Sequence, residues 1–464
     1  MNYLSLVNKQ NKIKESYLKN MILSTYTNIF NETISIEKES KEEFIKLKEY
    51  LEKKNIEVGI RDSYRDMNTQ KQIYDYYLNK EGIEYCNKYV AIPGYSEHHT
   101  GLAIDITIKY NGKFLKDDEE LICLDDEKYK EIHKNLSKFG FILRYPKNKE
   151  KITGYNYEPW HIRYVGKIPA KIISENDLTL EEYLNEFGGV LVVNKEKDMT
   201  SFDVVREVSK ILGIKKIGHT GTLDPLAEGV LVLTIGKYTK LGEDLTSLDK
   251  EYIAKVKQGI LTDTLDITGK ILEENSKRIT NIKEVLKSFK KTYMQEVPKY
   301  SAVKVNGKKL YEYARKNEEV ELPKKEVTIK EIKLIEKDEN TFTFKTSVSK
   351  GTYIRSLIRD IGESSNTLMT MTNLIRTRQG KFRIEDSYKL NDITNGDFNI
   401  LKIEDILDYE IIDIDEKLLK KIENGVVIDN AYNIKDKVIF RYNGKKIAIY
   451  MVDNKKLRMY LKLC

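Results

Sequence analysis

Residues 218–235 read GHTGTLDPLAEGVLVLTI, and the rest of the chain is best understood outward from them. Gly218, Gly221, Gly229 and Pro225 fall within the first twelve residues, a density that specifies a backbone path more than a packing face. Asp224 stands directly before Pro225, which confines it to extended conformations and presents its carboxylate from a fixed position. An ordinary Asp-Pro turn between a helix and a strand fits the same spacing equally well. The apolar run that follows predicts a buried strand over 229–235. Upstream, 190–194 (VLVVN) reads as a strand and 201–212 as an amphipathic helix, with 214–228 a loop between that helix and the buried strand. Downstream, strands are expected near 251–258, 326–336, 341–349 and 438–452, the last folded at Asn443-Gly444, a good hairpin turn. The end of the chain reads as a small β domain.

Gly188-Gly189 marks a seam, and no Pro/Ser-rich linker accompanies it. Ahead of the seam the pattern is mixed helix and strand. Phe44, Leu47, Tyr50 and Leu51 repeat at helical spacing within 39–54, and further helices are expected near 68–79, over 126–139 and over 177–187. Residues 56–60, 102–108 and 160–165 read as strands, with Asn111-Gly112 a turn signal after the second.

The chain has 464 residues, enough for two or three domains with separate cores. With 40% hydrophobic and 33% charged residues, it reads as folded rather than disordered. No apolar run approaches the ~18 residues of a membrane helix, and the N-terminus lacks the apolar core of a signal peptide. The three cysteines, Cys86, Cys123 and Cys464, suggest neither a disulfide framework nor a CxxC metal site. A cytoplasmic protein is expected. Of the net charge of +7, residues 1–187 carry −2 and residues 188–464 carry +9, so the second part has the excess suited to phosphates. Lysine-rich solvated faces produce the same excess.

Three of the five histidines sit in two short motifs before the seam, Ser96-Glu97-His98-His99-Thr100-Gly101-Leu102-Ala103-Ile104-Asp105 and Glu158-Pro159-Trp160-His161. A catalytic zinc takes about three N/O ligands and keeps one position open for water. His98, Asp105 and His161 can supply those ligands, with Glu158 placed as a base and Arg65 as a partner for a developing negative charge. Any one of these residues alone is more simply a surface polar group. His133 reads that way, and His99 reads as a neighbour, because adjacent residues on an extended chain point opposite ways.

Taken together, SEHHTGLAID, TGYNYEPWHIRYVG and SYRDMNTQ closely resemble the zinc D-alanyl-D-alanine carboxypeptidases of the VanY type, over most of residues 1–187. The resemblance implies a compact α+β fold. It makes His98, Asp105 and His161 zinc ligands, Glu158 the general base, Arg65 a substrate clamp and Ser96 a substrate-binding residue. The partner it implies is a peptide ending in D-Ala-D-Ala.

After the seam, GHTGTLDPLAEGVL is joined by Lys240, by Tyr252 ahead of Thr262-Asp263-Thr264, and by VPKYSAVKVNGKKLYEYAR (297–315). KGTYIRSL (350–357) and Leu374-Ile375-Arg376-Thr377-Arg378 follow. These strings closely resemble the bacterial tRNA pseudouridine synthase B family across nearly all of 189–464. The resemblance implies isomerisation of a T-loop uridine of tRNA, at position 55, without metal or cofactor. Asp224 is then the nucleophile, Tyr252 the residue that stacks on uracil and removes the C5 proton, and Arg355 the partner of Asp224. Tyr353 lines the pocket and His219 helps take the place of the flipped base. Lys240, Arg376 and Arg378 are expected either to meet phosphate or to solvate a face. Where many relatives carry Lys-Pro-x-Gly, this chain has Lys195-Glu196-Lys197-Asp198, with neither proline nor glycine to shape the loop.

The whole reads as an α+β chain: a zinc-peptidase domain at 1–187, a synthase domain with a mixed, largely antiparallel sheet at 188–400, and a small RNA-contacting β domain at 401–464. A monomer is expected, with tRNA (through its T-arm) and a D-Ala-D-Ala peptide as partners, zinc for the first domain and no membrane. The alternatives are a synthase carrying an inert N-terminal module, or an RNA-binding protein whose synthase site is idle.

Overall fold

In the computed structural model, which describes residues 2–116, 121, 126–402 and 406–463, the chain forms two compact units. One comprises Met1–Phe187 with Lys210–Ile214, the other Gly188–Ser209 with Lys215–Cys464. Cys123 and Cys464 lie outside the described residues. Cys86 is buried and free.

The first unit is built on a five-stranded antiparallel sheet. Its strands run in the order Val58–Asp62, Ala103–Tyr110, His161–Tyr164, Phe141–Leu143, with Lys113–Phe114 returning on Ala103–Tyr110. That return is the hairpin expected at Asn111-Gly112, where φ is 50° and 81°. Helix Lys38–Glu52 starts where the Glu37 side chain accepts from the Ser40 amide, and it buries Phe44, Leu47 and Leu51 beneath the sheet residues Ile60, Ile104 and Ile106. Helices Met67–Glu81 and Asp126–Leu136 match their sequence patterns. The hairpin Leu23–Thr27/Thr33–Glu37 and helix Lys167–Glu175 were not foreseen. The closing helix, Leu180–Asn185, begins in a capping box between Thr179 and Glu182.

The second unit holds a nine-stranded sheet. The main path is Thr292–Glu296, Lys324–Lys337, Thr341–Val348, Lys250–Gln258, Met369–Gln379, Glu228–Gly236, Gly188–Lys195. Every pairing is antiparallel except the short one of Glu228–Gly236 with Met369–Gln379. Two sequence expectations are corrected here. Residues 374–378, read only as a motif, lie in a central strand, Met369–Gln379, and the loop 214–228 contains a strand, Ile217–Thr220, paired with Glu228–Gly236. Gly188-Gly189 sits inside the first strand of this sheet. Helix Ser201–Leu212 begins at a reciprocal cap between Thr200 and Asp203 and buries Val204 and Val208. The final five-stranded sheet, which includes the hairpin at Asn443-Gly444, has its own core around Phe440 and Tyr450. Ile439, Ile449 and Leu461 pack instead in one cluster with Val190, Val232 and Phe382.

Candidate functional site

In the first unit, register brings two separated motifs together. Asp105 lies directly opposite His161 across the antiparallel pair of Ala103–Tyr110 and His161–Tyr164. Oδ1 of Asp105 is 3.0 Å from Nδ1 of His161, and its Oδ2 is 3.4 Å from Nε2 of His98. One ligand atom from each of the three residues falls within 4.8 Å of the others, and all three side chains are buried. His98 donates from Nδ1 to the Ser63 carbonyl at 2.5 Å, which leaves Nε2 unprotonated toward Asp105. Contrary to the extended-chain reasoning, His98 and His99 lie on a 3-10 turn, Glu97–Thr100. His99 is nonetheless no ligand. Its Nε2 accepts from the Gly94 amide and its Nδ1 faces the Arg65 carbonyl, so both ring nitrogens are used by backbone. His133 likewise contacts the Pro159 carbonyl, beside the Glu158 loop.

Burial opposes the charge of His161, but the Asp105 and Glu97 carboxylates outweigh it and lift the pKa to about 9. Burial lowers that of His98. Burial alone would raise Asp105, yet His98 and His161 hold it well below the usual carboxylate range. Three buried donors whose ligand atoms lie within 4.8 Å of one another fit a cation, and two imidazoles with a carboxylate suit zinc.

Oε2 of Glu158 is 3.7 Å from Nδ1 of His161. Arg65 pairs with Asp62 at 2.5 Å and with Asp105 at 3.0 Å, and Ser96 is buried. These residues line one cleft of about 780 Å³ with the three candidate ligands. Sequence reasoning missed Glu97, Arg144 and Glu181, all buried beside the cluster. It missed Arg163 too, although Arg163 follows His161 by two residues on a strand and so shares its face.

In the second unit the Asp224 loop is tied down at several points. Ser201 Oγ accepts from the Leu223 amide at 2.9 Å and donates to the Leu223 carbonyl at 3.1 Å. The Pro225 carbonyl accepts from the Asp198 amide at 2.8 Å and from Lys195 Nζ at 3.3 Å. Arg376 donates to the carbonyls of Gly221 (2.9 Å) and Val230 (2.6 Å). With 1% exposure, Arg376 neither meets phosphate nor solvates a face; it clamps the loop. Asp198 adopts φ of 66°, so an aspartate supplies the left-handed residue of this loop. At Gly229, φ is 97° and an added Cβ would stand 2.3 Å from the Arg376 carbonyl oxygen, so this glycine is sterically required.

Arg355, buried at the start of helix Ile354–Ser364, places Nη2 2.8 Å from Oδ2 of Asp224. It also donates to the carbonyls of Thr264 (2.9 Å) and Tyr300 (3.0 Å). Tyr353, the residue before it, is half-buried; burial raises its hydroxyl pKa, and the charge of Asp224 adds to the rise. Tyr252 is buried and opposes Arg376 across the sheet. His219, on strand Ile217–Thr220, has a buried Nδ1 without a hydrogen-bond partner. Burial, then the Arg376 charge, lowers its pKa. Lys240 is exposed, and Arg378 donates to the Gly380 carbonyl.

The model of the family described as D-alanyl-D-alanine carboxypeptidase matches residues 33–167. That described as TruB family pseudouridylate synthase (N terminal domain) matches residues 209–354. A tRNA pseudouridine synthase B of Caldanaerobacter subterraneus subsp. tengcongensis is 43% identical over 276 residues, 58% of this chain and 97% of that protein. Among solved structures, the LdcB LD-carboxypeptidase is 40% identical with a TM-score of 0.35, covering 39% of this chain and 85% of that one. An E175A mutant of the vancomycin resistance D,D-pentapeptidase VanY with Zn(II) is 31% identical with a TM-score of 0.35, covering 40% of this chain and 100% of that one. The chain belongs to the tRNA pseudouridine synthase B family and carries, ahead of the synthase, a D-alanyl-D-alanine carboxypeptidase domain.

Proposed function

We propose that this chain is a fusion enzyme with two separate active sites. Residues 188–464 isomerise a T-loop uridine of tRNA, at position 55, to pseudouridine, with 401–464 contacting the RNA. Residues 1–187 release the terminal D-alanine of a D-Ala-D-Ala peptide with the help of zinc.

The synthase reading rests on the Asp224–Arg355 pair. The carboxylate stands on a loop clamped from both sides and is held at one oxygen by a buried guanidinium, while it stays 38% exposed. A nucleophile needs that combination of fixed aim and access. Asp224 attacks the flipped nucleotide and the C1′–N1 bond breaks; the uracil turns, C5 bonds to C1′, and the bond to the Asp224 carboxylate breaks, freeing the enzyme. Tyr252 takes the C5 proton and N1 gains one, so the reaction is a net isomerisation. Arg355 keeps the carboxylate ionised and aimed, Tyr353 lines the pocket, and His219 helps fill the gap that the flipped base leaves. The net +9 of this part suits a phosphate backbone.

The peptidase reading rests on the in-register meeting of Asp105 and His161 beside His98. These three would hold the zinc. When bound, zinc supplies Lewis acidity to a water and to the peptide carbonyl. Glu158 accepts the proton of the attacking water and returns it to the leaving amine. Arg65 and Ser96, on the wall of the same cleft, bind the peptide terminus. Each site is made from residues of one chain. Among the described residues no helix is long and apolar enough to cross a membrane. Because tRNA is the synthase substrate, we place the protein in the cytoplasm.

Two assays on the full chain test this. Tritium release from C5-labelled uridine in tRNA is expected to vanish in Asp224→Asn and persist in Glu158→Gln. Zinc-dependent D-alanine release should show the reverse pattern. Tritium release unchanged in Asp224→Asn would sink the synthase assignment. D-alanine release absent from zinc-loaded wild type would leave the N-terminal unit an inert module.

A further inference from the structure

Glu97 stands directly before the ligand His98 in the first motif, yet nothing in the zinc chemistry above uses it. Its side chain has no exposure. The two carboxylate oxygens have different surroundings. Oε1 takes the guanidinium of Arg144 at 2.8 Å and that of Arg163 at 2.9 Å. Oε2 is buried without a hydrogen-bond partner and stands 3.8 Å from Nε2 of His161, which is itself buried and without a hydrogen-bond partner. On the other side of the same imidazole, Nδ1 faces Asp105. The two orphaned atoms are 3.8 Å apart, and burial without a partner favours closing that gap into a hydrogen bond.

Behind Glu97 the charges continue. Arg144, fully buried, turns its other two nitrogens onto Glu181 at 2.6 and 2.9 Å. Glu181 also accepts from Asn8 at 3.0 Å. The remaining donors of Arg163 go to the carbonyls of Tyr3, Ser5 and Tyr164. Two carboxylates balance two guanidinium groups, which is what makes so much buried charge tolerable. Asn8 and Glu181 both lie outside residues 33–167, the stretch that the peptidase family model covers.

We infer that Glu97 is a positioning residue, which accepts a hydrogen bond from the Nε2–H of His161 and so commits Nδ1 of that ring to the metal, and that Arg144 and Glu181 hold it in place. This rests on the zinc-peptidase reading. A carboxylate behind a ligating imidazole fixes its tautomer and orientation and strengthens its basicity. Truncating the chain after residue 167 would strip Glu181 from Arg144 and loosen the metal site from behind.

The test uses the full chain, zinc as the probe, and readouts other than catalysis. In zinc-loaded wild type carrying ¹⁵N-histidine, His161 is expected to show a protonated Nε2 and a metal-bound Nδ1. Glu97→Gln is expected to weaken zinc, measured by chelator competition, by about 10- to 100-fold. Glu181→Gln should weaken it by a smaller factor, and an unchanged value removes Glu181 from the arrangement. A purely structural role would lower the unfolding midpoint of the metal-free variant without altering either the tautomer or the affinity of the folded fraction. If Glu97→Gln does not fold, the wild-type tautomer alone decides. Zinc on Nε2 of His161, or equal zinc affinity in a folded Glu97→Gln, overturns the inference. Failure of wild type to bind zinc at all overturns the metallopeptidase reading instead.

Discussion

Arg355 holds Asp224 by a 2.8 Å contact while the same guanidinium donates to the carbonyls of Thr264 and Tyr300. One planar side chain thus ties the Asp224 loop to two other segments, and a lysine cannot reach three acceptors in that geometry. Arg355→Lys is expected to lower turnover of tRNA by about 10²-fold through misplacement of the carboxylate. The carbonyl left without a donor should cost about 1–3 kcal/mol of stability. Single-turnover tritium release and chemical denaturation measure the two effects; turnover equal to wild type would show that Arg355 does not aim Asp224.

Gly229→Ala places a methyl carbon against the Arg376 carbonyl at a backbone angle that disfavours side chains. The expected loss is about 1–3 kcal/mol from strain at positive φ, with a further part from the clash. Urea denaturation gives the number. A loss under about 0.5 kcal/mol would mean that the strand moves away from the loop at little cost.

Lys195 gives a pH dependence with a definite sign. Burial is the main cause of its fall from an ordinary 10.5 to about 8, and the nearby Glu228, Asp224 and Asp198 only partly offset it. Between pH 8 and 10.5 the unfolded chain binds a proton at this site that the folded chain has released, so the Lys195 contribution to stability rises with pH, by up to about 1.4 kcal/mol per pH unit. Above pH 10, buried tyrosines such as Tyr293, raised mainly by burial, act in the opposite direction. The useful quantity is therefore wild type minus Lys195→Met, which should increase between pH 8 and 10. A flat difference would mean that Lys195 stays charged in the fold.

Removal of zinc should act on the first unit alone. With free zinc at about a hundred times its dissociation constant, stabilisation of about 2.7 kcal/mol is expected, and a chelator should abolish it. His98→Ala should lose this zinc-dependent shift. Glu158→Gln should keep it while losing D-alanine release by about 10²- to 10⁴-fold. Calorimetry with and without chelator separates the two variants.

Much of this was legible in the sequence because the chemistry-bearing residues are compressed into short strings. GHTGTLDPLAEG and SEHHTGLAID carry their own backbone instructions, and the helices at 38–52 and 201–212 announce themselves by period and cap. Arg376 was misread because an arginine on a strand looks the same in sequence whether it faces water or clamps a loop. The strand Met369–Gln379 was overlooked because polar residues interrupt its alternation, although neighbours on both sides bury it.

The sequence by itself determined which residues are candidates for the chemistry and the local path of the loops that present them, since proline, glycine and helix caps act on their immediate neighbours. Only the tertiary structure decided the partnerships: Asp105 opposite His161, Arg355 on Asp224, and the Glu97–Arg144–Glu181 charges behind the imidazole. Those depend on strand register and on the burial of charge against charge. Both arise between segments far apart in the chain, and no local pattern of residues records them.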